Sequence, residues 1–138
     1  MSIQVLCIGD VMLDVIVRID VAPEKINYGS DTASRISTGS GGAAGNVAAW
    51  LTRTDARSTI VCHVGDDPAG AAIVADFDAL GVEHGELVVP GQASGVVIVL
   101  VDSSGERTMF PEKGANSSLT ISDLPELSKF QAVYISGY

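Results

Sequence analysis

The chain has 138 residues, 17 of them acidic and 8 basic, for a net charge of −9, and it is 46% hydrophobic and 18% charged. That length suits one domain or one piece of a larger one, and the apolar fraction is too high for a disordered acidic tail. The acidic balance excludes a nucleic-acid surface and a polybasic membrane patch, so an anionic ligand would have to be held by local groups against the overall field.

No apolar run reaches the length of a bilayer span. Met1-Ser2-Ile3-Gln4 lacks the basic segment of a signal peptide, and a cytoplasmic location is expected. The first element is Val5-Leu6-Cys7-Ile8-Gly9, a short continuous apolar run ending in glycine, which predicts a strand buried on both faces of a parallel sheet. Strict alternation in Val17-Arg18-Ile19-Asp20-Val21 predicts a strand with one wet face, belonging to a second sheet. Residues 31–38 are a candidate polar partner strand. Gly39-Ser40-Gly41-Gly42-Ala43-Ala44-Gly45-Asn46 reads as a glycine-rich loop running into a helix, with Ala44, Val47, Ala48 and Leu51 as its core-facing stripe.

Residues 58–64 predict a second buried strand. Asp67-Pro68 supplies an N-cap and a proline at the first helical position; Ala69, Ile73, Phe77 and Leu80 line the apolar face, and Gly81 is placed to end the helix. Val96 to Val101, a turn at Asp102-Ser103-Ser104-Gly105 and the run Glu106 to Phe110 predict a hairpin. Thr120 and Ser122 are helix-entry candidates, and Ala132 to Ser136 is a last apolar strand. The order is α/β with a small-sheet insertion. A chain ending on a strand with no crossover after it looks cut.

Glycines before a helix let a ligand approach the backbone and favour polar or negative groups at the helix start, although the same loop serves as a tight structural turn. It is no P-loop, because no Lys-Ser or Lys-Thr follows. It is no dinucleotide fingerprint, because it does not directly follow the first strand, which disfavours an oxidoreductase. Asp10 and Asp14 flank the end of the first strand, where ligands of open α/β sheets bind; each reads either as a turn aspartate or as an anchor for hydroxyl groups. Cys7 and Cys62 read as buried reduced thiols, with a disulfide or metal pair as the alternative. His63 and His84 are isolated, Asp66-Asp67 reads as a helix cap before a metal site, and Trp50 as a packing residue.

Gly9-Asp10 with Asp14, Gly41-Gly42-Ala43-Ala44-Gly45-Asn46, Val64-Gly65-Asp66-Asp67-Pro68-Ala69-Gly70, and Gly105-Glu106-Arg107-Thr108 with Gly114-Ala115-Asn116 occur in one order along nearly the whole chain. Together they resemble the N-terminal part of the ribokinase-like (PfkB) carbohydrate kinases. The resemblance implies a mostly parallel sheet flanked by helices, with a small β lid drawn from about residues 14–38 and 94–111, and the C-terminal half of the domain absent from residues 1–138. It implies Asp14 as sugar anchor, Gly41, Gly42 and Asn46 as substrate-holding residues, and Arg107 as a lid contact.

Met12 stands where ribokinases proper commonly have asparagine, and Ala43 where they have lysine, so sugars, sugar acids or nucleosides in general are implied and ribose itself is not. ATP and Mg²⁺ are implied for the parent protein and not for this half. The family's Gly-Ala-Gly-Asp motif, with its catalytic base, does not occur in the chain. The expectation is the substrate-binding half of a sugar or nucleoside kinase, inactive alone, with no catalytic, cofactor or metal residue of its own; the alternative is a non-catalytic sugar-binding or interaction module. A homodimer through the lid is expected, with no nucleic-acid or membrane partner.

Overall fold

The computed structural model describes residues 2–137, so Met1 and Tyr138, which the readings of the two ends include, lie outside the described residues. The first strand, β1 (Gln4–Ile8), runs into β2 (Met12–Ile19), then β3 (Ser34–Gly41), helix α1 (Ala43–Leu51), β4 (Arg57–Val61), β5 (Val64–Gly65) and helix α2 (Pro68–Leu80). Short strands β6 (Glu83–His84) and β7 (Val88–Val89) precede a hairpin of β8 (Val96–Val101) and β9 (Arg107–Glu112), and β10 (Ala132–Ile135) closes the order.

Two four-stranded sheets result. The base sheet, ordered β10-β1-β4-β6, is parallel throughout. Its centre is buried as the unbroken apolar run requires: Leu6 and Cys7 are fully enclosed. The core lies between this sheet and the two helices, with Cys7, Ala44, Ala48, Ile60, Ile73 and Phe77 at its heart. The second sheet, ordered β3-β2-β8-β9, is built from two antiparallel hairpins joined by a parallel β2–β8 pair. It projects from the base as a lid, and its own apolar cluster is Met12, Val97, Val99 and Val101.

Helix α2 carries the capping signals read from its sequence and buries Ile73 and Phe77, but Leu80, read as part of the same face, is 41% exposed at its end. Asp67 caps it by accepting the Gly70 N–H at 2.8 Å, Pro68 opens it, and Gly81 ends it in the left-handed region at φ 74°. The same Asp67 carboxylate accepts the Ser94 hydroxyl at 2.6 Å and the Ser94 N–H at 2.8 Å, and the Ser94 hydroxyl accepts the Gly65 N–H at 2.9 Å. One cap thereby ties the helix to the segment entering β8. Asp66 accepts the Gly91 N–H at 3.1 Å, and among the described residues no three metal-ligating side chains lie together.

Several expectations are corrected. The lid strand read at 17–21 starts at Met12, because its first half is covered on both faces and shows no alternation. Asp14 therefore sits inside a lid strand and not beside the end of β1. The supposed glycine-rich loop is divided: Gly39 and Gly41 end β3, Gly42 is the junction, and Gly45 and Asn46 are helical. The strand read at 58–64 breaks after Val61, with β5 in a separate two-stranded sheet. Thr120 opens only a 3-10 turn over Ile121–Asp123, so the crossover to β10 holds no α-helix. Trp50 is 69% exposed, with the Arg53 guanidinium 5.4 Å from its ring centroid.

Cys7 and Cys62 are free and buried, and burial pushes their thiols up to about 11 and about 12, the Asp10 charge adding to the effect at Cys62. Both are protonated and unreactive at neutral pH. No helix among the described residues is long and apolar enough to cross a membrane.

Asp67→Ala is expected to lower the unfolding free energy by about 1–2 kcal/mol, read from the urea midpoint. The Ser94 hydroxyl, then the Ser94 N–H, hold the Asp67 carboxyl below its ordinary 3.8. Its contribution is therefore present above that value and fades as pH falls through the folded value. Asp67→Asn is expected to flatten the acid limb of the stability profile.

Candidate functional site

A cavity of about 710 Å³ lies between the carboxyl end of the base sheet and the inner face of the lid. The base supplies Ile8, Gly9, Ile135 and Ser136, and the start of α1 supplies Gly42, Ala43 and Asn46. The lid supplies Met12, Asp14, Val97, Val99, Arg107 and Met109. Strand register explains the lid wall. Asp14 stands in one cross-strand row with Val97 and Pro111, and Ile16 in the next with Val99 and Met109, so these side chains share one face.

Asp14 is the chemically exposed point of this wall. Its Oδ1 is buried and has no hydrogen-bond partner among the described residues. Burial raises its carboxyl above the ordinary 3.8. A buried carboxylate oxygen with an unfilled acceptor is costly, and a hydroxyl donor would relieve it. Gly41 makes room for it: a Cβ there would lie 2.3 Å from Asp14 Oδ1 and 2.5 Å from Oδ2. Gly41 itself does not line the cavity, whereas Asp14, Gly42, Asn46 and Arg107 do. Of the five residues singled out in the sequence, four thus face one space and the fifth stands behind Asp14.

Gly42 is bound by two constraints. Its φ is +88°, and a Cβ would lie 2.6 Å from both the Asp10 carbonyl oxygen and the Val11 Cα. This close approach lets α1 begin against the loop that leaves β1, and the Gly45 N–H donates to the Asp10 carbonyl at 3.3 Å. Asn46 is exposed in the first turn of α1, and Arg107 is exposed at the start of β9. The charges facing the cavity are the Asp10 and Asp14 carboxylates and the Arg107 and Lys113 cations.

Three further wall residues hold the elements around the cavity together, and of these the sequence offered only Asp10, as a turn aspartate or an anchor. Asp10 accepts the Ala43 N–H at 3.1 Å on one oxygen and the Ser136 hydroxyl on the other, joining the ends of β1 and β10 to the start of α1. A single aspartate after a strand gives no sign of partners 33 and 126 residues away. Ser136 is the second. The third is Asn116, whose side chain holds the backbone of Val11; its signal was the Gly114-Ala115-Asn116 motif. His63 lies outside the cavity, its Nδ1 2.8 Å from the Ser118 hydroxyl and its Nε2 3.4 Å from Asp123. His84 is paired with Asp78.

Residues 2–138 match the pfkB family carbohydrate kinase pattern. The chain is 32% identical over 125 residues to the ATP-dependent ribose-1-phosphate kinase of Halopiger xanaduensis, covering 90% of this chain and 42% of that protein. Among solved structures it is similar to a ribokinase from Giardia lamblia, with a TM-score of 0.85 and 26% identity over 97% of this chain and 44% of that one. The adenosine kinase from Sinorhizobium meliloti is similar with a TM-score of 0.80 and 25% identity, over 98% of this chain and 47% of that one. The architecture is therefore the ribokinase-like α/β fold, and the chain spans less than half the length of these relatives.

Gly42→Ala is expected to cost about 1–3 kcal/mol in urea denaturation, since it adds a Cβ to a left-handed residue pressed on backbone. Gly39→Ala is the control: a Cβ there meets nothing within 4 Å. Its expected effect is within about 0.5 kcal/mol.

Proposed function

Because the chain belongs to the pfkB family carbohydrate kinases, we propose that the cavity between base and lid is the acceptor site of a sugar or nucleoside kinase. Asp14 would accept hydrogen bonds from the acceptor's hydroxyl groups, and Gly42 and Asn46 would border them at the start of α1. Gly41 keeps the space that the Asp14 carboxylate occupies, and Arg107 would reach the acceptor from the lid. The observation that carries this reading is the buried Asp14 Oδ1, without a partner among the described residues, in a cross-strand patch with the apolar Val97, Val99 and Met109. The names of the relatives, a ribose-1-phosphate kinase and an adenosine kinase, support an acceptor built on a sugar ring.

ATP with Mg²⁺ is the phosphate donor expected for this family. The residues present do not fit that pair: among the described residues no three metal-ligating side chains lie together, and only Arg107 and Lys113 bring positive charge to the cavity. Nor does a carboxylate present itself as general base. Asp10 and Asp67 are committed to the starts of the two helices and Asp66 to the Gly91 N–H, while Asp14 serves the acceptor. General-base assistance is typically worth ~10²–10⁴-fold in rate, so the chain alone is expected to transfer no phosphate. Sugar-dependent ADP release by the purified chain, above the no-enzyme rate and lost in Asp14→Asn, would overturn that.

The outer face of the lid supports a second copy of the chain as partner. Val17 and Ile36 are in register, as are Val15, Ile98 and Phe110, on the face opposite Asp14. Ile36, Ile98 and Phe110 are 64%, 45% and 58% exposed. Such a cross-strand apolar patch is buried by an equivalent patch in a two-fold dimer. A dimer is expected in light scattering, and Phe110→Glu is expected to make it monomeric; a wild-type monomer at high concentration overturns the proposal.

Calorimetry with D-ribose, D-fructose and adenosine tests the acceptor site. Asp14→Asn is expected to weaken the tightest of these by about 1.5–3 kcal/mol, the scale of a hydrogen bond to a charged group; unchanged affinity overturns the assignment. The same variant is expected to raise the thermal midpoint of the ligand-free chain at pH 7. With its folded pKa raised, Asp14 costs stability as pH climbs above the ordinary 3.8, and the asparagine carries no such charge.

A further inference from the structure

We infer that Asn116 is the positioning residue that sets the angle of the lid over the acceptor, an inference that rests on reading the cavity as the acceptor site. Asn116 lies 105 residues from Val11, yet its carboxamide closes both backbone groups of that residue. The Val11 N–H donates to Asn116 Oδ1 at 2.9 Å, and Asn116 Nδ2 donates to the Val11 carbonyl at 2.8 Å. The second N–H of the same group donates to the Lys113 carbonyl at 2.9 Å. The arrangement needs one acceptor and two donors in a plane, which a primary carboxamide supplies and an aspartate or serine does not.

The base-proximal ends of all four lid strands meet at this point. Val11 precedes β2, and Lys113 follows β9. Gly95 precedes β8, and a Cβ on it would lie 2.3 Å from Asn116 Nδ2. Gly42 follows β3, and a Cβ on it would lie 2.6 Å from the Val11 Cα. Two backbone bonds close the junction: Leu13 N–H to the Gly95 carbonyl at 2.9 Å, and Ala115 N–H to the Ala93 carbonyl at 2.8 Å. Glycine is required at both positions because the strands converge on a carboxamide and a backbone with no room between.

This junction controls Asp14 through leverage. Three residues of strand separate Val11 from Asp14, about 10 Å at ~3.3 Å per residue. A tilt of ~10° of β2 about Val11 would therefore move the Asp14 carboxylate by roughly 2 Å, enough to break a hydrogen bond. Asn116 also lines the cavity, so the group that fixes the lid borders the space the acceptor fills.

Asn116→Asp tests this with a residue of the same size. It keeps an acceptor for the Val11 N–H and turns a second oxygen toward the carbonyls of Val11 and Lys113. Amide exchange in the ligand-free variant is expected to accelerate at least tenfold across the lid strands, while Leu6 and Ile60 in the base sheet keep their protection. Affinity for the tightest of D-ribose, D-fructose and adenosine is expected to fall at least tenfold. Gly95→Ala leaves Asn116 in place and displaces its carboxamide from the other side; it is expected to give the same pattern. The double variant is expected to be no worse than the more affected single.

Unchanged lid exchange, equal acceleration in both sheets, or additive effects in the double variant would each overturn the inference. If the wild-type chain binds none of the three probes, the acceptor reading falls, while the exchange pattern, measured without ligand, still decides whether Asn116 fixes the lid.

Discussion

Three residues, Gly9, Asp10 and Val11, carry the chain from the base sheet into the lid sheet, and every other feature of the molecule is arranged around that short passage. Each is held by a different means. Gly9 adopts φ 141°, and a Cβ on it would lie 2.5 Å from the Ser136 Cβ. The Asp10 carboxylate takes the Ala43 N–H and the Ser136 hydroxyl. Val11, fully buried, gives both its backbone groups to Asn116. A buried backbone turn has to satisfy its polar groups within the protein, and here the partners are brought from the start of α1, the end of β10 and the segment after β9. The cavity is the space left where these elements converge without closing.

Asp14 is the buried polar group that the fold leaves unsatisfied among the described residues. An ionised carboxyl with a buried oxygen that no described residue partners is unfavourable, and the chain makes room for it by leaving Gly41 without a side chain. Other buried polar groups are satisfied: Ser94 is 2% exposed and bonded to Asp67 and Gly65, and Ser58 is 2% exposed and bonded to the Ala48 carbonyl. The contrast separates buried groups whose bonds hold the fold from one whose bonding the described residues leave incomplete.

The fold was legible where local chemistry agreed with tertiary packing. The continuous run of β1, the cap, proline and terminal glycine of α2, and the turn between β8 and β9 each have a cause within a few residues. What was illegible depended on distant coverage. The first half of β2 shows no alternation because the cavity side holds Asp14 and Ile16 while Leu13 packs toward the core. Gly39, Ser40 and Gly41 read as a loop by composition, yet they pair with Asp14, Leu13 and Met12. Asp14, Gly42, Asn46 and Arg107, which line the cavity, stand in motifs visible in the sequence. Asn116 and Asp10 act through partners about 100 residues or more away, or across a helix start, which spacing along one chain does not reveal.

The parallel pairing of β2 with β8 bears on how the chain is made. Leu13 pairs with Val96, 83 positions later, so the lid joins two hairpins of very different age. At ~5–20 residues per second, the ribosome would leave β2 without this neighbour for roughly 4–17 s. During that interval the inner edge of β2 is an unpaired strand with Val15, Ile16 and Val17 exposed to any other nascent chain. Arg18 and Asp20 at its far end, with Arg35 paired to Asp20 at 2.8 Å, place charge beside the apolar stretch, the usual guard against edge-to-edge association. The strand that carries Asp14 thus waits for its neighbour, as β1 waits for β10 at Val5 and Ala132, and its protection before then rests on charges that do not line the cavity.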